Sequence, residues 1–155
     1  MVSENMTSPI VIETKPFGKT TVDESDILEF PEGIFAFEEF HRFVILSESE
    51  ESTFHWLQSL DDPSLAFVIL EIRSLIPDYV PDIPGWILGG IGLAKLEDAE
   101  IWGIVTIPRG NPNDMTINLQ GPIIINRKMG KGGQFISNDD THFVRTRLLE
   151  YIEQN

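Results

Sequence analysis

The stretch Met115–Ile136, MTINLQGPIIINRKMGKGGQFI, limits the possible folds more than any other part of the chain. Met115, Ile117 and Leu119 alternate with Thr116, Asn118 and Gln120, the period-two pattern of a strand with one face buried. Ile123, Ile124 and Ile125 follow without a polar break, so this strand has both faces covered and sits centrally. Gly130, Gly132 and Gly133 then mark a tight turn, with Gln134–Ile136 pairing back. Arg127, Lys128 and Lys131 among those glycines raise the question of a phosphate loop. A P-loop needs two glycines four residues apart, then Lys and Ser or Thr, opening a helix. The run MGKGGQ joins two extended segments and has no such hydroxyl, so Arg127–Gly133 reads as an exposed hairpin tip.

The rest of the chain repeats this grammar of short apolar runs and Gly, Pro or Asp turns. Ile10 and Ile12 open a strand that turns at Pro16-Phe17-Gly18 and returns over Lys19–Val22. Ile27, Leu28 and Phe30 lead into the turn Pro31-Glu32-Gly33. Phe35, Phe37, Phe40 and Phe43 then fall at a spacing that suggests one helical turn feeding a strand Phe43–Leu46. FHWLQSL (54–60) and Leu65–Leu70 form a hairpin about Asp61-Asp62-Pro63. Prolines 77, 81 and 84 make the middle a loop or edge, with a short helix expected near Leu93–Glu97. Ile101–Ile107 reads as a buried strand, and Val144, Leu148 and Ile152 predict a helix in 141–155. The expectation is an all-β protein. It is an antiparallel barrel or sandwich spanning 1–155 as a single domain, frayed over 1–9, with one or two short helices.

Charge narrows the function. Residues 1–104 carry 20 acidic and 5 basic side chains, net -15, and residues 105–155 carry 5 and 6, net +1. Such a field repels nucleic acid and anionic membranes and steers a basic partner inward, although acids also simply keep a protein soluble. The phenylalanines lie within the most acidic stretch, the wrong sign for a single-stranded nucleic acid groove. No signal peptide is recognisable and no apolar run nears the ~20 residues that span a bilayer, so a soluble, cytoplasmic protein is expected. With no cysteine and with His41, His55 and His142 scattered, neither a metal nor a cofactor is expected. No G-x-S-x-G occurs. Among 25 acids some pair will always mimic a glycosidase site, so that signal has little specificity.

Four segments together resemble the flagellar assembly factor FliW family: IETKPFGKTTVDESDILEFPEGIFAFEEFHRFVIL (12–46), FHWLQSLDDPSLAFVI (54–69), IWGIVTIP (101–108) and MTINLQGPIIINRKMGKGGQ (115–134). The combination of FPEG, LQS-DDP-LAF and NLQ-PIIIN carries the resemblance. VPDIPGWILGGIGLAKLED matches loosely, and RTRLLEYIEQN runs past the usual end of the family pattern. The resemblance implies a non-enzymatic regulator with a small β-barrel fold, a monomer when free. It would bind flagellin and antagonise CsrA, a basic RNA-binding translational regulator. Flagellin synthesis would thereby be matched to secretion. Asp61, Asp62, Glu32, Phe35 and Phe37 are the candidate partner-binding residues, acids for complementary charge and phenylalanines for apolar anchorage. Asp-Asp-Pro is also a good turn on its own, and the phenylalanines also suit a core. The competing reading is an acid-rich, carbohydrate-active β-barrel enzyme.

Overall fold

The computed structural model describes residues 7–152. Its centre is a barrel of seven strands, closed by a β7–β9 pairing in the order β7-β6-β5-β4-β3-β10-β9. These are β3 (Leu28–Glu29), β4 (Arg42–Leu46), β5 (Phe54–Ser59), β6 (Ala66–Glu71), β7 (Glu100–Thr106), β9 (Ile123–Asn126) and β10 (Lys131–Gln134). All neighbours are antiparallel except β3 and β10, which are parallel. β1 (Pro9–Thr14) and β2 (Gly18–Asp23) form a separate hairpin. β8 (Thr116–Ile117) and β11 (Thr146–Arg147) extend the sheet from the last residues of β7.

Strand alternation sorts the side chains into an inside and an outside, and both are apolar. Leu28, Phe43, Leu57, Ile69, Trp102, Ile123 and Ile125 fill the barrel with Phe30. The intervening residues face covering layers. Val44 and Leu46 lie under the β1–β2 hairpin with Val22. Leu70, Ile101 and Val105 meet Ile72, Ile117 and Leu148, while Ile124 meets Leu88 and Ile91. The unbroken Ile123–Ile125 run is therefore central, with one isoleucine outward and two inward.

Four local expectations change. Gly132 and Gly133 are buried ladder residues of β10, and the turn is Arg127–Gly130. Phe30 explains it. A Cβ on Gly132 would stand 2.8 Å from the Phe30 ring, so glycine lets that ring into the barrel. Residues 31–41 are not helical; Ile34 and Phe37 form a tight antiparallel bridge instead. The middle helix α2 lies at Gly85–Leu88, continued by a 3₁₀ turn Gly89–Ile91, and only a 3₁₀ turn, Leu96–Asp98, forms near the expected helix. In the C-terminal segment β11 pairs with β8, so Val144 is exposed and only Leu149–Ile152 (α3) is helical; Glu153 and Gln154 lie outside the described residues. Of the start expected to fray, residues 1–6 also lie outside, whereas the Ser8 amide donates to Asp23 at 2.7 Å and Pro9 opens β1. A third single-turn helix, α1, spans Ile72–Leu75.

Replacing Gly132 by valine should overpack the seam beside Phe30 and lower stability by about 1–3 kcal/mol. Urea denaturation of the variant against wild type checks this.

Candidate functional site

Because β3, β4, β5 and β6 alternate in direction, the β3–β4 connection and the β5–β6 turn emerge at the same end of the barrel. The five predicted residues are thus brought together at one end, but they do different things. Phe30 donates its amide to His41 O at 2.7 Å, and the Gly33 amide donates to Phe30 O at 3.0 Å, closing the Pro-Glu-Gly turn. Gly33 has φ 67, and a Cβ there would lie 2.6 Å from Glu38 Cα. Ala36 takes a left-handed φ of 73, and its amide is held by Glu38 Oε1 at 3.1 Å. Phe37 turns inward and meets Phe67 edge-on, with centroids 5.3 Å apart. Phe35 is 48% exposed, and its amide is anchored by Gln134 Oε1 of β10 at 3.0 Å. Glu32 is exposed and has no hydrogen-bond or ion-pair partner among the described residues.

Asp61 is fully engaged. It accepts the amides of His41 and Arg42 at 2.9 and 3.1 Å and the Arg42 guanidinium at 3.1 and 3.0 Å. Partial burial pushes its carboxyl up, but these amide and guanidinium donors outweigh it and hold the carboxyl below the usual range. Asp62 caps its own turn by accepting the Ser64 hydroxyl and amide at 2.7 and 3.0 Å, which also lowers it. Both aspartate amides donate to Ser59 Oγ at 3.0 Å. Gln58 is buried, and its Nε2 donates to the carbonyls of Ser59, Pro63 and Leu65. Its Oε1 accepts the Lys15 amide at 2.8 Å, tying the β1–β2 hairpin to this turn. Gln58 and Ser59 are the contributors that the sequence reading missed. Their signal is a polar pair closing an apolar strand just before Asp-Asp-Pro.

Two other arrangements have the look of chemistry. Ser137 Oγ lies 2.8 Å from His142 Nδ1, whose Nε2 is 3.7 Å from Asp139. Ser137 is only 2% exposed, however, and its hydroxyl accepts the Asp82 amide, so it braces two loops. At the hairpin tip, Arg127 pairs with Glu100 at 2.6 and 2.9 Å. Burial would push Glu100 up, but the Arg127 hydrogen bonds and charge hold it below the usual range. Among the described residues no group of acids and histidines is placed to hold a metal ion, and no helix is long and apolar enough to cross a membrane.

A family model of the FliW protein matches residues 11–148. The chain belongs to the FliW family. The match takes RTRLLEYIEQN in as far as Leu148. The flagellar assembly factor FliW of Leptospira biflexa is 46% identical over 145 residues, covering 94% of this chain and 95% of that protein. The one from Caldicellulosiruptor saccharolyticus is 37% identical, with 94% of each chain covered. A crystal structure of the flagellar assembly factor FliW superposes with a TM-score of 0.79 at 34% identity, covering 90% of this chain and 96% of that one. These FliW relatives are named as assembly factors, not as enzymes.

Asp61→Asn should cost about 1 kcal/mol, a charged hydrogen-bond set discounted for its solvent exposure. A depressed folded-state pKa contributes stability above the unfolded value and loses it as pH falls through the folded one. Wild type should therefore lose more stability than Asp61→Asn between about pH 7 and pH 3, as urea midpoints would record.

Proposed function

We propose that the protein is a non-enzymatic flagellar assembly factor that acts by binding other proteins in the cytoplasm, flagellin and the basic regulator CsrA. Bound to CsrA, it would keep that regulator from repressing flagellin translation. Unexported flagellin would take it away and let repression return. The observation that carries this reading is the family match over residues 11–148. The charge agrees with it, because a net of -14 attracts a basic RNA-binding protein and opposes RNA entering the complex. The enzyme reading has no comparable support.

The proposed contact surface is the barrel end that carries Glu32, Phe35, Phe37, Asp61 and Asp62. Within it Glu32 and Phe35 are the parts available to a partner, an exposed acid and a half-exposed ring on a turn braced from both sides. Asp62 adds charge beside them. Asp61 and Phe37 hold the platform by way of Arg42 and Phe67.

The double variant Glu32→Lys with Phe35→Ala should bind CsrA roughly tenfold more weakly, a loss of about 1.4 kcal/mol, with thermal stability little changed. Association of wild type with CsrA should slow as salt rises. Calorimetric titration with CsrA and with flagellin is the measurement. If wild type binds neither protein near physiological ionic strength, the proposed function is wrong.

A further inference from the structure

The opposite end of the barrel carries a groove of about 690 Å³ whose chemistry suits a protein segment. Its floor includes Phe54, Leu75 and Ile152, and its rim carries Glu50, Glu51 and Glu71. Phe54 and Leu75 are half-buried, Ile152 is 40% exposed, and the three glutamates are exposed. Among the described residues no lysine or arginine lines it. The loop SESEES is a closed turn here. The Ser49 amide donates to Ser52 Oγ at 3.1 Å, and the Ser52 amide donates back to Ser49 O at 3.2 Å. Glu50 and Glu51 therefore stand at the corners of an ordered turn. Glu71 precedes α1 and makes no capping bond with its side chain, so its carboxylate is free to face a ligand. His55 also lines the groove, edge-on to Trp102, with Nδ1 buried and unpartnered.

We propose that this groove is a second docking site, distinct from the Glu32 and Phe35 surface, for a basic segment of a partner protein. Leucine-like side chains of that segment enter the floor while its lysines or arginines meet the three glutamates. The inference rests on the reading of the protein as a protein-binding regulator. Charge complementarity selects the occupant. An apolar floor alone would accept many chains, but a rim of one sign rejects an acidic one. A second copy of this chain is disfavoured for the same reason, because each brings a net charge of -14.

A short fluorescein-labelled peptide of alternating leucine and lysine, and its leucine–glutamate counterpart, are the probes. Binding is read by anisotropy at fixed salt on wild type, on Glu51→Lys with Glu71→Lys, and on Glu13→Lys with Asp140→Lys. The last pair changes net charge equally but lies outside the groove. The groove pair should weaken the lysine peptide roughly tenfold or more, the control pair far less, and the glutamate peptide should not bind. Phe54→Ser, checked for folding by circular dichroism, should weaken it as well. Equal losses in the two charge-reversal pairs would show a general field effect and overturn the docking site, as would binding of both peptides alike. CsrA and flagellin are titrated in parallel. Binding of those proteins with no groove dependence of the peptide sinks the groove alone. Failure of wild type to bind either protein sinks the broader reading, whatever the peptides do.

Discussion

The seam between β3 and β10 carries little backbone pairing, yet the barrel cannot close without it. The parallel register brings Lys131 opposite Glu29, and the Glu29 amide donates to Gly130 O at 2.8 Å. Side chains do the rest. Phe30, fully buried, lies over Gly132 and beside Phe43, with ring centroids 5.0 Å apart. Burying such a ring contributes on the order of 2–3 kcal/mol, more than one net hydrogen bond. Residues about 100 apart in sequence meet at this seam, so loop-closure entropy opposes it until the interior cluster forms. Gly132 is thus a core residue without a side chain. It makes room for the ring that draws the two strands together.

The same economy governs the acids. A formal charge of -14 suggests a uniformly negative surface, but many carboxylates hold the fold locally. Asp23 accepts the Ser25 hydroxyl and the Ser8 and Ser25 amides, and these bonds bring its pKa down to about 2. Asp61 locks β4 to the Asp-Asp-Pro turn, Glu100 holds Arg127, and Asp114 holds Arg147. Glu32, Glu50, Glu51 and Glu71, by contrast, are exposed and their carboxylates make no such bond among the described residues.

How far the sequence could be read follows from these contacts. The β5–β6 hairpin was legible because Asp-Asp-Pro interrupts two apolar runs, and β9 because three isoleucines leave no polar face. β3 is two residues long, too short to show a period, and its partner β10 lies far away in sequence, whereas β8 falls within the alternation of Met115–Gln120. Glycine ordinarily marks turns, so the burial of Gly132 and Gly133 could not be told from the chain without Phe30's place. In the C-terminal segment, Val144, Leu148 and Ile152 have helical spacing, but β8 offers an open edge and Thr146–Arg147 pairs with it. At the candidate surface the sequence located the turns correctly by number. It could not tell that Arg42 occupies Asp61 or that Phe67 occupies Phe37.

Both proposed surfaces rest on turns braced by serine hydroxyls, Ser59 at one end and Ser52 at the other. The entropy of ordering these turns is met on folding, so less of it opposes association. β5 joins the two ends, with Phe54 in the groove and Ser59 in the opposite turn, roughly 17 Å apart at ~3.3 Å per residue. In a barrel packed on both faces, competition between partners at opposite ends can be steric. That is physically sufficient. Even a partner of ~60 residues has a radius of gyration of about 10 Å and spans roughly 25 Å, which exceeds the separation. Two such proteins docked at the two ends would collide along β5 unless each approached from its own side. Exclusion of one partner by another then needs no conformational change, only that both lean over the same face of the barrel.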